Sequence, residues 1–204
     1  MKNFIWDFDG TLFDTYTHTV TLLHRYMAER GRRYDYGALY AVCREHMGKA
    51  RAFCGADEAE WAEFFRREAE LDTPPLARPY EGTETVLSEI LARGGSNFLY
   101  THRDDVSIKY LIKFDLYKYF AGFVTRENGF PQKPAPDAIL YLLAQFRLDP
   151  AETIMIGDRE IDILSGKNAG IHTCLFTDGN PGAAASEAES TAGNMADLQA
   201  LFLK

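Results

Sequence analysis

Residues 4–15 read FIWDFDGTLFDT. Three large apolar residues, Phe4, Ile5 and Trp6, run straight into Asp7, and Asp9, Gly10 and Asp14 follow closely. An apolar run that stops at a carboxylate matches a strand buried on both faces at the point where it leaves the core. Side chains two apart on an extended backbone point to the same side, so Asp7 and Asp9 are expected to share one. Two carboxylates about 4 Å apart repel by roughly 4 kcal/mol at an effective dielectric near 20, so something must offset them.

Three other runs resemble the first: Phe98-Leu99-Tyr100, Ile154-Met155-Ile156, and residues 173–176. Helical patterns lie between them. Residues 83–93 place Val86, Leu87, Ile90 and Leu91 on one stripe and stop at Gly94. Residues 136–146 open on a proline and carry Ile139, Leu140, Leu142 and Leu143, while residues 161–169 end at Gly170. This alternation predicts an α/β fold with a doubly wound parallel sheet. The stretch 15–79 breaks it with three helical segments and no convincing strand, which predicts an inserted small helical domain. A core of residues 1–14 and 80–204 around an insertion of 15–79 follows.

Within the insertion, Asp57 is an expected N-cap, with Glu60 three residues on and Trp61, Phe64 and Phe65 at core spacing. Gly31 and Gly48 mark expected turns, and Pro74, Pro75 and Pro79 stiffen the return to the sheet. Asp14 suits a cap or hinge at the first inserted helix. The Ala/Ser/Glu-rich residues 182–192 are expected to be a loop or helix before a final helix at 195–203.

The chain has 204 residues, 46% of them hydrophobic and 25% charged, with a formal net charge of -8. That length holds one core domain and a modest insertion, and that charge repels nucleic acid and anionic membranes. A small soluble ligand is the expected partner, with monomer and dimer both open. Cys43, Cys54 and Cys174 show no metal-ligand spacing and suit a reducing compartment. An acid as early as Asp7 with no long uncharged apolar segment after it predicts neither a secretory signal nor a membrane span. A cytoplasmic protein is expected.

In open α/β sheets, ligands bind beyond the carboxyl ends of the strands. Those ends carry Asp7 and Asp9, then Thr101 and His102, then Asp158, and the proline-flanked Lys133 joins them from the loop at 132–136. A divalent cation on oxygen ligands, with Asp158 as a further ligand, is the simplest offset for the paired acids. The lack of clustered His and Cys favours Mg²⁺ over Zn²⁺. Gly10 permits a sharp turn whose successive N–H groups could hold an anion.

These residues resemble the haloacid dehalogenase (HAD) superfamily, in its phosphoglycolate phosphatase-like branch with a helical cap. Asp7-Phe8-Asp9-Gly10-Thr11-Leu12 is similar to its first motif, Thr101 to the second, Lys133 to the third, and Gly157-Asp158 with Asp162 to the fourth. The resemblance implies a Mg²⁺-dependent phosphatase acting on a small phosphomonoester. Asp7 is then the nucleophile, Asp9 the proton carrier, Thr101 a phosphoryl hydrogen-bond donor and Lys133 the cation beside both. It further implies metal ligation by Asp7, Asp9, Asp158 and Asp162, and phosphoryl contacts from the loop of Phe8, Gly10 and Thr11. A dehalogenase would lack Asp9.

The second motif departs from the commoner Ser/Thr-Asn by reading Thr101-His102-Arg103, which adds His102 to the candidate binding residues. In the insertion, the stretch His46-Met47-Gly48-Lys49-Ala50-Arg51 makes Lys49 and Arg51 candidates for substrate choice, with His18 and His24 left to packing or surface. A phosphomutase and a phosphonate hydrolase share this framework, the latter needing a lysine such as Lys49. A non-catalytic binding module is the remaining alternative.

Overall fold

The computed structural model describes residues 1–45, 47–70, 77–178 and 187–203. It divides into two units, Met1–Phe13 with Pro79–Lys204, and Asp14–Arg78. In chain order the first elements are β1 (Asn3–Trp6), β2 (Phe13–Asp14), α1 (Thr15–Glu29), α2 (Tyr36–Glu45), α3 (Met47–Phe53), α4 (Glu58–Glu68) and β3 (Arg78–Pro79). There follow α5 (Thr83–Ala92), β4 (Ser96–Tyr100), α6 (Val106–Lys113), β5 (Phe120–Val124), α7 (Asp137–Phe146), β6 (Thr153–Gly157), α8 (Glu160–Asn168), β7 (His172–Phe176), β8 (Ser190–Ala192) and α9 (Met195–Phe202).

The sheet of the first unit runs β5-β4-β1-β6-β7-β8, and each neighbouring pair is parallel. The chain steps outward from β1 through β4 to β5, then returns to the other side of β1 for β6, β7 and β8. Connections therefore diverge on either side of β1, and the crevice they leave lies at its carboxyl end, where Asp7 follows Trp6. Ile5, Phe98, Val124 and Met155 pack against Ala138, Ile139, Leu142 and Leu143 of α7 on one face. Asn97, fully buried on β4, is satisfied by accepting from Trp6 Nε1 at 2.9 Å and donating to the carbonyls of Leu87 and Tyr119. A buried amide with every partner in place fixes the β1–β4 register at little cost.

Two strands of this six-stranded sheet and one helix of its unit went unrecognised in the sequence, as did the two-residue β2 and β3. β5 is interrupted by Gly122, where an added Cβ would meet the Phe146 ring at 2.6 Å, so a residue that weakens the strand signal is needed for helix packing. β8 replaces part of the loop or helix expected over 182–192, because its polar residues need only edge pairing with β7; residues 182–186 of that stretch lie outside the described ones. Helix α6 was hidden among polar flanks. Of the expected stripes, Leu91 and Leu140 are exposed, since the buried faces of α5 and α7 are narrower than their apolar ones.

Between β2 and β3 at its ends, the described residues of the second unit form four helices where three were expected. Val20, Leu23, Met27, Leu39, Cys43, Ala50, Trp61 and Phe64 form its core. Asp57 caps α4 by accepting from the Glu60 amide at 2.8 Å, the Asp57 amide in turn donates to Glu60 Oε2 to complete a capping box, and Asp14 caps α1 by accepting from Thr17 N. Gly31 makes the expected turn, with φ +74°. Gly48 does not: it lies inside α3, where Met47, Lys49, Ala50 and Arg51 are all good helix formers that outweigh one glycine. Phe65 is exposed too, because the buried stripe of α4 is Trp61, Phe64 and Glu68. His46, Pro74 and Pro75 lie outside the described residues. No helix among the described residues is long and apolar enough to cross a membrane.

Candidate active site

The first loop of the sheet turns on itself. Gly10, at φ +74°, donates to the Phe13 carbonyl at 2.8 Å, and the amides of Leu12 and Phe13 both reach the Phe8 carbonyl at 3.1 Å. The anion nest expected at Gly10 is thereby corrected, since that donor closes the turn instead. Phe8 is fully buried and stacks on Phe13 with ring centroids 4.6 Å apart. It is a core residue. Thr11 is fully buried, and its hydroxyl has no hydrogen-bond partner.

Asp7 is buried at the end of β1. Lys133, carried by the loop before α7, is buried beside it, and its Nζ donates to Asp7 Oδ1 at 2.6 Å, Asp162 Oδ1 at 2.7 Å and the Tyr100 carbonyl at 2.9 Å. All three ammonium hydrogens are thus used. Burial opposes the ammonium, but Asp162 and then Asp7 more than offset it, so the Lys133 pKa lies above its ordinary value. Asp7 moves the other way from most paired acids. Burial pushes it up to about 6 against the pull of Lys133. Its Oδ2 is buried and accepts no hydrogen bond.

Carboxylate oxygens of Asp7, Asp158 and Asp162 lie within 4.8 Å of one another. Asp158 follows β6 and Asp162 lies in the first turn of α8, so the strand-to-helix connection delivers both. Close packing makes this possible: a Cβ on Gly157 would stand 2.3 Å from that of Asp162. Asp162 has both oxygens engaged, Oδ1 by Lys133 and Oδ2 by the Arg159 amide at 3.0 Å.

Asp9 is not part of that gathering, although it was expected among the metal ligands. Its carboxylate is taken by Arg103, with Nη2 at 2.9 Å and Nε at 3.0 Å from Oδ1. The two acids of the opening stretch are therefore offset separately, one by Lys133 and the other by Arg103. The sequence signal for Arg103 is its place two residues beyond Thr101, in the loop that follows β4.

Thr101 is buried at the end of β4, and its Oγ1 accepts from Arg103 N at 3.0 Å, which leaves the hydroxyl proton to donate elsewhere. His102 turns toward the Lys133 loop, its Nε2 accepting from Lys133 N at 2.8 Å. Burial, then Lys133 and Arg159, push its pKa down to about 4. Asn168 Nδ2 reaches the Pro134 carbonyl at 2.9 Å from the far side of the same loop. In the helical unit, Lys49 and Arg51 of α3 are both exposed, with Lys49 paired to Glu45.

Residues 4–176 match the sequence profile of the haloacid dehalogenase-like hydrolases. The chain is 27% identical over 192 residues to phosphoglycolate phosphatase 1 of Pseudomonas aeruginosa, covering 86% of this chain and 69% of that protein. Among solved structures it is similar to a hydrolase from Streptococcus pneumoniae, at 32% identity and a TM-score of 0.70, covering 87% and 94% of the two chains. A HAD-superfamily hydrolase of subfamily IA from Geobacter sulfurreducens shares the fold at 24% identity and a TM-score of 0.78, covering 98% and 96%.

Proposed function

The chain belongs to the haloacid dehalogenase-like hydrolase family, and from that premise we propose that it hydrolyses a small phosphomonoester through an aspartyl-phosphate on Asp7, with Mg²⁺ bound alongside. One observation carries this reading. Asp7 has one oxygen committed to Lys133 and the other buried with no hydrogen bond, so a desolvated oxygen is held in a fixed direction. That is the state of an activated carboxylate nucleophile. The relative named phosphoglycolate phosphatase supports a small phosphorylated substrate.

The donor set fits a hard dication, because the gathered side chains offer only carboxylate oxygens. Asp7 and Asp158 would hold it, and Asp162, already bonded to Lys133 and Arg159, would add charge rather than a free oxygen. Bound Mg²⁺ supplies neutralisation of the phosphoryl oxygens and favours the ionised form of Asp7.

Asp7 Oδ2 attacks phosphorus, the bond to the ester oxygen breaks, and Asp9, ion-paired with Arg103 until it takes up a proton in the substrate complex, gives that proton to the leaving oxygen. Asp9 then takes a proton from water as that water attacks phosphorus, the acyl-phosphate bond breaks, and phosphate leaves with Asp7 restored. Thr101 donates its hydroxyl proton to a phosphoryl oxygen, and Lys133 holds the nucleophile and sets its positive charge beside that group. Arg103 compensates the charge of Asp9 where the anionic substrate enters. We assign the helical unit the role of a substrate-selecting cap, with Lys49 and Arg51 as its candidate contacts. The buried free thiols of Cys43, Cys54 and Cys174 support a reducing, cytoplasmic setting.

The test is release of phosphate from a panel of phosphorylated metabolites with Mg²⁺, together with acid-quench trapping of a phosphorylated peptide containing Asp7. Appreciable turnover by Asp7→Asn, or a full rate in excess chelator, would overturn the reading.

A further inference from the structure

Lys133 is buried, its side chain completely, and the loop that carries it has little hydrogen bonding of its own. Pro134 and Pro136 have no N–H to give. Ala135 N reaches only the Gln132 carbonyl, at 3.0 Å, within the loop. The Lys133 amide belongs to no strand or helix and goes to His102 Nε2 at 2.8 Å. Left without an acceptor, a buried amide costs about 1–3 kcal/mol.

We propose that His102 is a positioning residue, whose Nε2 accepts the Lys133 amide and so fixes the loop that sets Lys133 Nζ between Asp7 and Asp162. The proposal rests on the reading of Lys133 given above and deepens it. His102 thereby acts through Lys133 instead of touching substrate.

Three observations converge. An amide donor facing Nε2 requires the neutral ring with its proton on Nδ1. Burial, reinforced by Lys133 and Arg159 against the smaller opposing pull of Asp162 and Asp9, holds the ring neutral well below its ordinary range. Finally, the loop is gripped from two sides, by His102 at Lys133 N and by Asn168 at the Pro134 carbonyl. Since the ammonium contacts are 2.6 and 2.7 Å, a loop displaced by about 1 Å breaks them, a misplacement that can lower turnover about 100-fold.

Nuclear magnetic resonance on the wild-type chain, metal-free, tests the link without turnover. Expected are an unprotonated Nε2, a scalar coupling between it and the Lys133 amide nitrogen, and a slowly exchanging Lys133 ammonium signal. His102→Ala should lose the ammonium signal and lower kcat roughly 10- to 100-fold with KM changed less than about threefold. His102→Gln, which keeps an acceptor, should recover much of both, and His102→Phe neither. A protonated Nε2 overturns the proposal, as does an ammonium signal unchanged in His102→Ala or an effect confined to KM. If the signals behave as expected and the wild type hydrolyses no phosphomonoester, the proposed function falls and the positioning role stands.

Discussion

Arg103 lies on the carboxylate of Asp9, its Nη2 2.9 Å and its Nε 3.0 Å from Oδ1, across 94 positions of sequence. Both groups are partly exposed, so a dianionic phosphoryl group approaching here meets a neutralised pair in place of a bare carboxylate. Arg103→Met restores the bare charge. At an effective dielectric near 20, one such charge about 6 Å away costs a few kcal/mol, so kcat/KM should fall roughly 10- to 100-fold, more at low salt. Arg103→Lys should recover part of it. Steady-state kinetics at two ionic strengths decide, and an unchanged kcat/KM would remove Arg103 from the site.

Lys133 is enclosed by two carboxylates. Removing one partner of a buried ion pair leaves uncompensated charge and costs about 3–5 kcal/mol. Lys133→Met should therefore lower thermal stability markedly as well as abolish turnover, which calorimetry of the metal-free protein at pH 8 would register. A variant as stable as wild type would mean that the acids are offset some other way.

The raised pKa of Asp7 has a definite sign. Its folded value of about 6 exceeds the ordinary 3.8, so the folded chain takes up the proton, and the associated stability is full below the lower value and lost as pH rises through about 6. Two units at 1.36 kcal/mol each make the ionised form costly by up to about 3 kcal/mol at pH 8 without metal. Asp7→Asn should then be more stable than wild type at pH 8, by about 1–3 kcal/mol since Lys133 also loses a partner, and lose that advantage near pH 4. Denaturant midpoints at the two pH values measure it.

Metal ligation separates Asp158 from Asp9. Thermal shift with increasing MgCl₂ should show stabilisation in wild type and Asp9→Asn and little in Asp158→Asn, because Asp158 stands in the carboxylate group and Asp9 does not. The opposite pattern would return Asp9 to the metal.

Gly157→Ala would push a methyl against Asp162, whose Cβ is 2.3 Å and Oδ2 2.6 Å from the position it would occupy. The α8 backbone cannot yield readily, so a destabilisation of about 1–3 kcal/mol is expected, with lost activity as Asp162 leaves Lys133. Full activity in this variant would show that Asp162 need not stay where it is.

Four of the six strands of the sheet and most helix ends were legible because they are local properties: an apolar run, a stripe, a capping carboxylate, a glycine stop. β5 was missed because Gly122 serves a distant ring, and Gly48 misled because a turn signal was outvoted by its helical neighbours. Asp7, Asp9, Thr101, Lys133, Asp158 and Asp162 could be chosen from the strand ends and motif spacing. Their partners could not.

The sequence by itself determined which chemical groups emerge at the carboxyl end of the sheet, since alternation, strand length and turn residues fix that locally. Only the tertiary structure decided how they pair. It gave Asp9 to Arg103 and Asp7 to Lys133, turned both oxygens of Asp162 away to Lys133 and Arg159, and set His102 against the Lys133 backbone. Apart from the local Arg159–Asp162 cap, each pairing joins residues carried by different elements, and the choice among nearby partners depends on ångström differences in distance and burial that no spacing along the chain encodes.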